Sequence, residues 1–100
     1  MSESNEHRKL VLRLAKDIST QFPHLSVCSD IQEKPGDETT QKIGASKPDV
    51  HASTAVGDFH IIGEAKTTRD LDTRHTQEQL YTFAKFLEKK SEGILLLGVR

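Results

Sequence analysis

Two carboxylates and an amine recur at a spacing that invites chemistry. Lys47-Pro48-Asp49 opens one strand-like segment and Glu64-Ala65-Lys66 closes the next, with fourteen residues between Asp49 and Glu64. Residues two apart in a strand emerge on the same face, so Glu64 and Lys66 share one. Asp49 and Glu64 are expected on neighbouring strands, where carboxylates a few ångströms apart repel each other unless a cation lies between them. These two carboxylates and the intervening backbone carbonyl of Ala65 are the hard oxygen ligands that Mg²⁺ prefers, with Mn²⁺ as a substitute and water in the remaining positions. A metal lowers the pKa of its bound water, and a lysine beside it orients that nucleophile and offsets charge growing on a phosphate. Asp49, Glu64 and Lys66 are therefore a minimal catalytic set for phosphodiester hydrolysis.

The elements that must position this set can be read from hydropathic period. Leu10, Val11, Leu14 and Ile18 recur at helical spacing among Arg8, Lys9, Arg13 and Lys16, which predicts an amphipathic helix over 5–21, ended by Pro23. Residues 25–31 alternate as a first strand. Residues 32–46, with Lys34-Pro35-Gly36-Asp37 and little apolar content, predict an exposed, mobile connection. Residues 49–55 and 59–66 predict a hairpin turning on Val56-Gly57-Asp58. Residues 73–90 carry Leu80, Phe83, Ala84 and Leu87 on one expected face, with Lys89 and Lys90 in the last turn and Gly93 just beyond, and predict a second helix. The apolar run of residues 93–99 predicts a strand covered on both faces. The order is helix, three strands, helix, strand, and its last two elements form a crossover back to the sheet. That order predicts an α/β class in which helices flank a mixed sheet.

At Asp49, Glu64-Ala65-Lys66 and this αβββαβ order, the chain resembles the PD-(D/E)XK nuclease superfamily over most of its length. The resemblance implies a restriction-endonuclease-like core. It makes Asp49 and Glu64 metal ligands and Lys66 the catalytic lysine, with Glu6 of the first helix as a further ligand. In the RecB-like branch the helix after the lysine carries Gln-x-x-x-Tyr, and Gln77-Glu78-Gln79-Leu80-Tyr81 reproduces that spacing. Gln77 and Tyr81 lie one helical turn apart, which suits contact with the metal-bound phosphate or the DNA backbone. Virus-type replication-repair nucleases and archaeal junction resolvases also place a glutamine on this helix. The implied reaction is Mg²⁺-dependent cleavage of DNA in repair, recombination or defence, leaving 5′-phosphate and 3′-hydroxyl ends. The rival reading is a catalytically silent module that keeps the fold to bind DNA or a partner protein. Three clustered charges speak against it, since a silent copy has no chemical need of them.

Other residues carry weaker signals. Glu6 is equally a solvated carboxylate favoured by the helix dipole. His51 is either a phosphate contact on the Asp49 face or a half-buried strand histidine. Thr67, Thr68, Arg69 and Arg74 read as phosphate contacts or as a polar connection. Five scattered histidines and one cysteine lack the spacing of zinc ligands.

Composition sets the outer limits. At 100 residues the chain suits a single domain over 1–100. Fourteen Lys and Arg against fifteen Asp and Glu give a net charge of -1, so DNA binding must rest on local patches. Cys28 alone forms no internal disulfide, and with no Cys-x-x-Cys pair or leader pattern the expected location is cytoplasmic. The longest apolar run is far short of the roughly 20 residues that cross a bilayer. So small a domain has little surface with which to grip a duplex, which favours a homodimer. Arg100 directly after an expected core strand raises the reading of a nuclease core within a longer chain, fused to or partnered by another protein.

Overall fold

The computed structural model describes residues 5–32, 35–36, 39–90 and 92–99. Its elements in chain order are α1 (Asn5–Gln21), β1 (Ser26–Ser29), β2 (Val50–Ser53), β3 (Phe59–Lys66), α2 (Thr68–Leu71), α3 (Arg74–Glu88) and β4 (Glu92–Val99). The four strands form one sheet in the order β1-β2-β3-β4. β1 and β2 run antiparallel, as do β2 and β3, whereas β4 is parallel to β3. Parallel neighbours need a long crossover, and α3 supplies it. The molecule is an α/β protein with a mixed sheet.

β3 lies between β2 and β4, and its residues from His60 to Ala65 are buried. Alternation divides its side chains between two cores. Ile61 and Ala65 join Val11 and Ile18 of α1, while Ile62 joins Phe83 and Leu87 of α3. Each fully buried side chain of valine size or larger contributes about 1.5–3 kcal/mol. At Gly63 the α1 layer comes so close that an added Cβ would stand 2.9 Å from a Leu14 methyl. The β2–β3 hairpin turns where expected. Thr54 Oγ1 accepts the N–H groups of Asp58 and Phe59, and Gly57 takes the left-handed φ of 76° that glycine adopts without strain.

Four expectations need correction. β4 is not covered on both faces throughout: Leu97 and Val99 are 43% and 45% exposed, and the strand lies at the edge of the sheet among the described residues. An unbroken apolar run does not by itself distinguish an edge from a covered strand. Ala84 is exposed, and Phe86 turns toward the sheet in its place. The connection after Lys66 contains the single turn α2, capped by Thr67 accepting the Asp70 N–H. β1 is shorter than residues 25–31, although Leu25 and Ile31 just outside it are buried as their apolar character requires.

Part of 32–46 is anchored. Thr40 Oγ1 donates to the Pro48 carbonyl at 2.6 Å, and Ile43 and Ser46 bridge each other. Pro35 and Gly36 are exposed, while Lys34, Asp37 and Arg100 lie outside the described residues. No helix of the described residues is long and apolar enough to cross a membrane.

Candidate active site

Asp49 stands immediately before β2 and Glu64 near the end of β3. Val50 pairs with Gly63, so continuing that register brings Asp49 opposite Glu64. The two residues are tied crosswise: Glu64 Oε2 accepts the Asp49 N–H at 2.7 Å, and Asp49 Oδ2 accepts the Ala65 N–H at 2.9 Å. Each carboxylate thus takes up a main-chain donor of the facing segment, which fixes both rotamers. The Asp49 carbonyl accepts the Asp30 N–H at 2.8 Å, and Pro48 is fully buried, so the backbone entering the site is held as well.

Glu64 is 1% exposed. Burial first, and the nearby Asp49 charge second, push its pKa up to about 7, against the opposing pull of the Asp49 N–H and Lys66. Lys66 Nζ lies 3.8 Å from Glu64 Oε1, too far for a short ion pair. It donates instead to Gln79 Oε1 at 2.8 Å. His7 of α1 brings Nε2 to 3.6 Å from Asp49 Oδ1. Two carboxylates, a lysine and a histidine therefore converge from α1 and the β2–β3 pair, with α3 holding the lysine.

One oxygen of each carboxylate is committed to backbone, while Asp49 Oδ1 and Glu64 Oε1 face His7 and Lys66. A strand residue directs its N–H and C=O to the same side, so the Ala65 carbonyl is turned toward Asp49 with its N–H. Two carboxylates and a carbonyl suit Mg²⁺, which binds through one or two carboxylates and keeps several waters. No group of three or more His, Cys, Asp or Glu side chains among the described residues is arranged to hold a metal. A buried carboxylate that resists ionisation beside a second carboxylate has the electrostatics a divalent cation relieves.

The other candidate residues divide by place. Gln77 is exposed and Tyr81 is 64% exposed, and they line a shallow depression on the outer side of α3 with Arg74, Glu78 and Thr82. Glu6 is exposed in the first turn of α1, beside Lys9, Leu10 and Arg13. His51 is half-buried and bonds His60, Nε2 to Nδ1, at 2.9 Å, farther along the same sheet face. Arg74 is exposed and pairs with Glu78 at 3.0 Å.

Gln79 and His7 are the residues that pattern reasoning missed. Gln79 falls three residues after buried Thr76 and four before buried Phe83, on the stripe of α3 that faces the sheet, a phase that shows only once the polar Thr76 is known to be buried. The Gln-x-x-x-Tyr spacing pointed instead to Gln77, two positions and about 200° away around the helix. His7 carried no signal beyond its place in the first turns of α1. Comparison with protein-family models, with curated proteins and with solved structures gave no match.

Proposed function

We propose that this protein is a metal-dependent deoxyribonuclease with a restriction-endonuclease-like core, hydrolysing DNA phosphodiester bonds in repair, recombination or defence. The observation that supports it most is the crosswise pairing of Asp49 and Glu64 with Lys66 beside them. Asp49 Oδ1, Glu64 Oε1 and the Ala65 carbonyl would hold Mg²⁺ or Mn²⁺. When bound, that ion supplies an acidified water and a positive charge beside the scissile phosphate.

The chain's own groups do the rest. Glu64 would hold the ion as a carboxylate, its proton released to solvent. Lys66, held by Gln79, places its ammonium where negative charge grows on the phosphoryl oxygens in an in-line displacement. His7 stands beside Asp49 at a distance from which it can orient the carboxylate or a water hydrogen-bonded to it. Lys9 and Arg13 of α1 offer local positive charge to a DNA backbone where the whole molecule has none to spare.

The test is incubation with labelled duplex, single-stranded, branched and ended DNA in Mg²⁺, Mn²⁺ and EDTA, with Lys66→Ala as control. Cleavage that needs metal and Lys66 is expected. Absence of cleavage on every substrate in both metals would leave the silent binding module as the better reading.

A further inference from the structure

A second recess lies on the same face of the sheet as Glu64 and Lys66. It encloses about 400 Å³ between the strands, Phe86 of α3 and the segment 39–43. That is near the lower end of the roughly 300–1,000 Å³ of pockets that hold small molecules. His51, Ser26, Ser53, Lys42 and Phe86 line it, and no carboxylate among the described residues does. His51 lies two positions beyond Asp49 along the chain, about 7 Å in extended backbone. The recess is therefore adjacent to the candidate catalytic group and distinct from it.

Its hydrogen-bonding polarity is fixed from one end. The Gly57 carbonyl can only accept, so His60 Nε2, at 3.0 Å, must be the donor. In a neutral ring the other nitrogen, Nδ1, then accepts. His51 Nε2, 2.9 Å from His60 Nδ1, must therefore donate. His51 Nδ1 is left as a bare lone pair. Every buried side-chain nitrogen or oxygen among the described residues has a hydrogen-bond partner, so this lone pair keeps some access to solvent, and the recess is the opening that His51 lines. Phe86 stands nearly perpendicular to both imidazoles, at 88° and 89°, with centroids 5.8 and 5.4 Å away, and the Lys90 ammonium lies 4.7 Å over its ring, so a base packs on Phe86 only where Lys90 swings aside or on the ring's other side.

We propose that this recess binds an unpaired nucleobase carrying an exocyclic amino group, which donates to His51 Nδ1 while the base packs against Phe86. The shape selects a flat heterocycle, the serine hydroxyls can satisfy either sense of its remaining edge, and the fixed acceptor selects an N–H over a carbonyl. Duplex bases are stacked and paired, so the ligand is a free nucleoside or a base in single-stranded nucleic acid. Only the second source rests on the proposed nuclease function, where it would make an unpaired base flanking the scissile phosphate part of the substrate.

Cytidine and N4,N4-dimethylcytidine separate the idea, since they differ only in that two methyl groups replace the hydrogens of the amino donor. In EDTA, titration followed by ring ¹⁵N spectra is expected to show cytidine moving the His51 Nδ1 resonance and binding about tenfold more tightly than N4,N4-dimethylcytidine. His51→Ala should equalise the two, and Phe86→Leu should weaken both by a similar factor and keep their ratio. Should His51→Ala fail to fold, the parent's ratio and its ¹⁵N shift decide the matter alone. Equal binding of the two nucleosides, or no binding of either at millimolar concentration, overturns the proposal. A single-stranded oligonucleotide that binds more tightly than cytidine and is released on annealing identifies a strand as the source; a nucleoside bound as tightly as the strand identifies the free ligand. Because no cleavage is read, loss of the nuclease reading in the DNA panel leaves this result intact, and the reverse holds too.

Discussion

Lys66 carries the largest expected effect of any single side chain, because its ammonium is the group aimed at developing charge. Lys66→Ala should lower metal-dependent cleavage by about 10² to 10³, the cost of removing one transition-state donor. Gln79→Ala leaves the ammonium in place but removes the acceptor that holds it at 2.8 Å, so a smaller loss of about tenfold is expected, with metal affinity unchanged. Gln77→Ala, on the exposed side of the same helix, should cost less than Gln79→Ala. Single-turnover rates on one substrate rank the three, and a larger loss for Gln77→Ala would return the phosphate contact to the outer face of α3. Metal binding separates ligands from the lysine: in calorimetry, Asp49→Ala and Glu64→Ala should each lose most Mn²⁺ affinity, whereas Lys66→Ala should retain it. The three central residues were legible because a period of two puts Glu64 and Lys66 on one face, and a hairpin of the right length puts Asp49 opposite. Gln79 was not, since the Gln-x-x-x-Tyr spacing favours its neighbour, while the helix phase that identifies it depends on Thr76, a polar residue that turns out to be buried.

The elements hold this geometry through a few interfaces. Phe83 is fully buried against Ile62 and Leu87, so Phe83→Ala should destabilise by about 3–5 kcal/mol and loosen α3 from the strand that carries Glu64. Thr73 caps α3 by accepting the Thr76 N–H, and Thr73→Ala should cost about 1 kcal/mol, measured by denaturant unfolding. A Phe83→Ala protein as stable as the parent would mean that α3 is not seated as described. Both long helices were legible because their apolar residues repeat at helical spacing over several turns. α2 was not, for one turn has no period, and only its Thr67 cap marks it. The edge position of β4 was invisible for another reason: residues 94–97, Ile-Leu-Leu-Leu, have the same composition whether one side of a strand or both are paired. Exposed Ala84 and inward Phe86 reflect a helix turned slightly from the phase that its leucines suggest.

At the scale of the whole molecule, the site should work against the fold until a cation arrives. Glu64 titrates at about 7 in the folded protein, raised from its ordinary value of 4.5, so folded protein holds a proton that unfolded protein has released between those limits. Stability is then fully present below about pH 4.5 and is lost as pH rises through about 7. The difference of 7 − 4.5 sets an upper bound on the order of 3 kcal/mol for this single group. In EDTA the melting temperature should therefore climb as pH falls from 8 toward 5, and the Glu64 contribution should vanish from the pH dependence of Glu64→Gln. That variant keeps an oxygen able to accept the Asp49 N–H, removes the charge, and should melt several degrees higher than the parent at pH 8. Mn²⁺ should raise the parent's melting temperature by mass action, more at pH 8 than at pH 5, because at the lower pH it must displace the Glu64 proton. Glu64→Gln should lose most of that metal response. Thermal unfolding of both proteins at the two pH values, with and without Mn²⁺, tests each step. If Glu64→Gln melts below the parent in EDTA at pH 8 and Mn²⁺ shifts neither protein, Glu64 is a structural residue held by its hydrogen bond to Asp49, and the cation site must be abandoned.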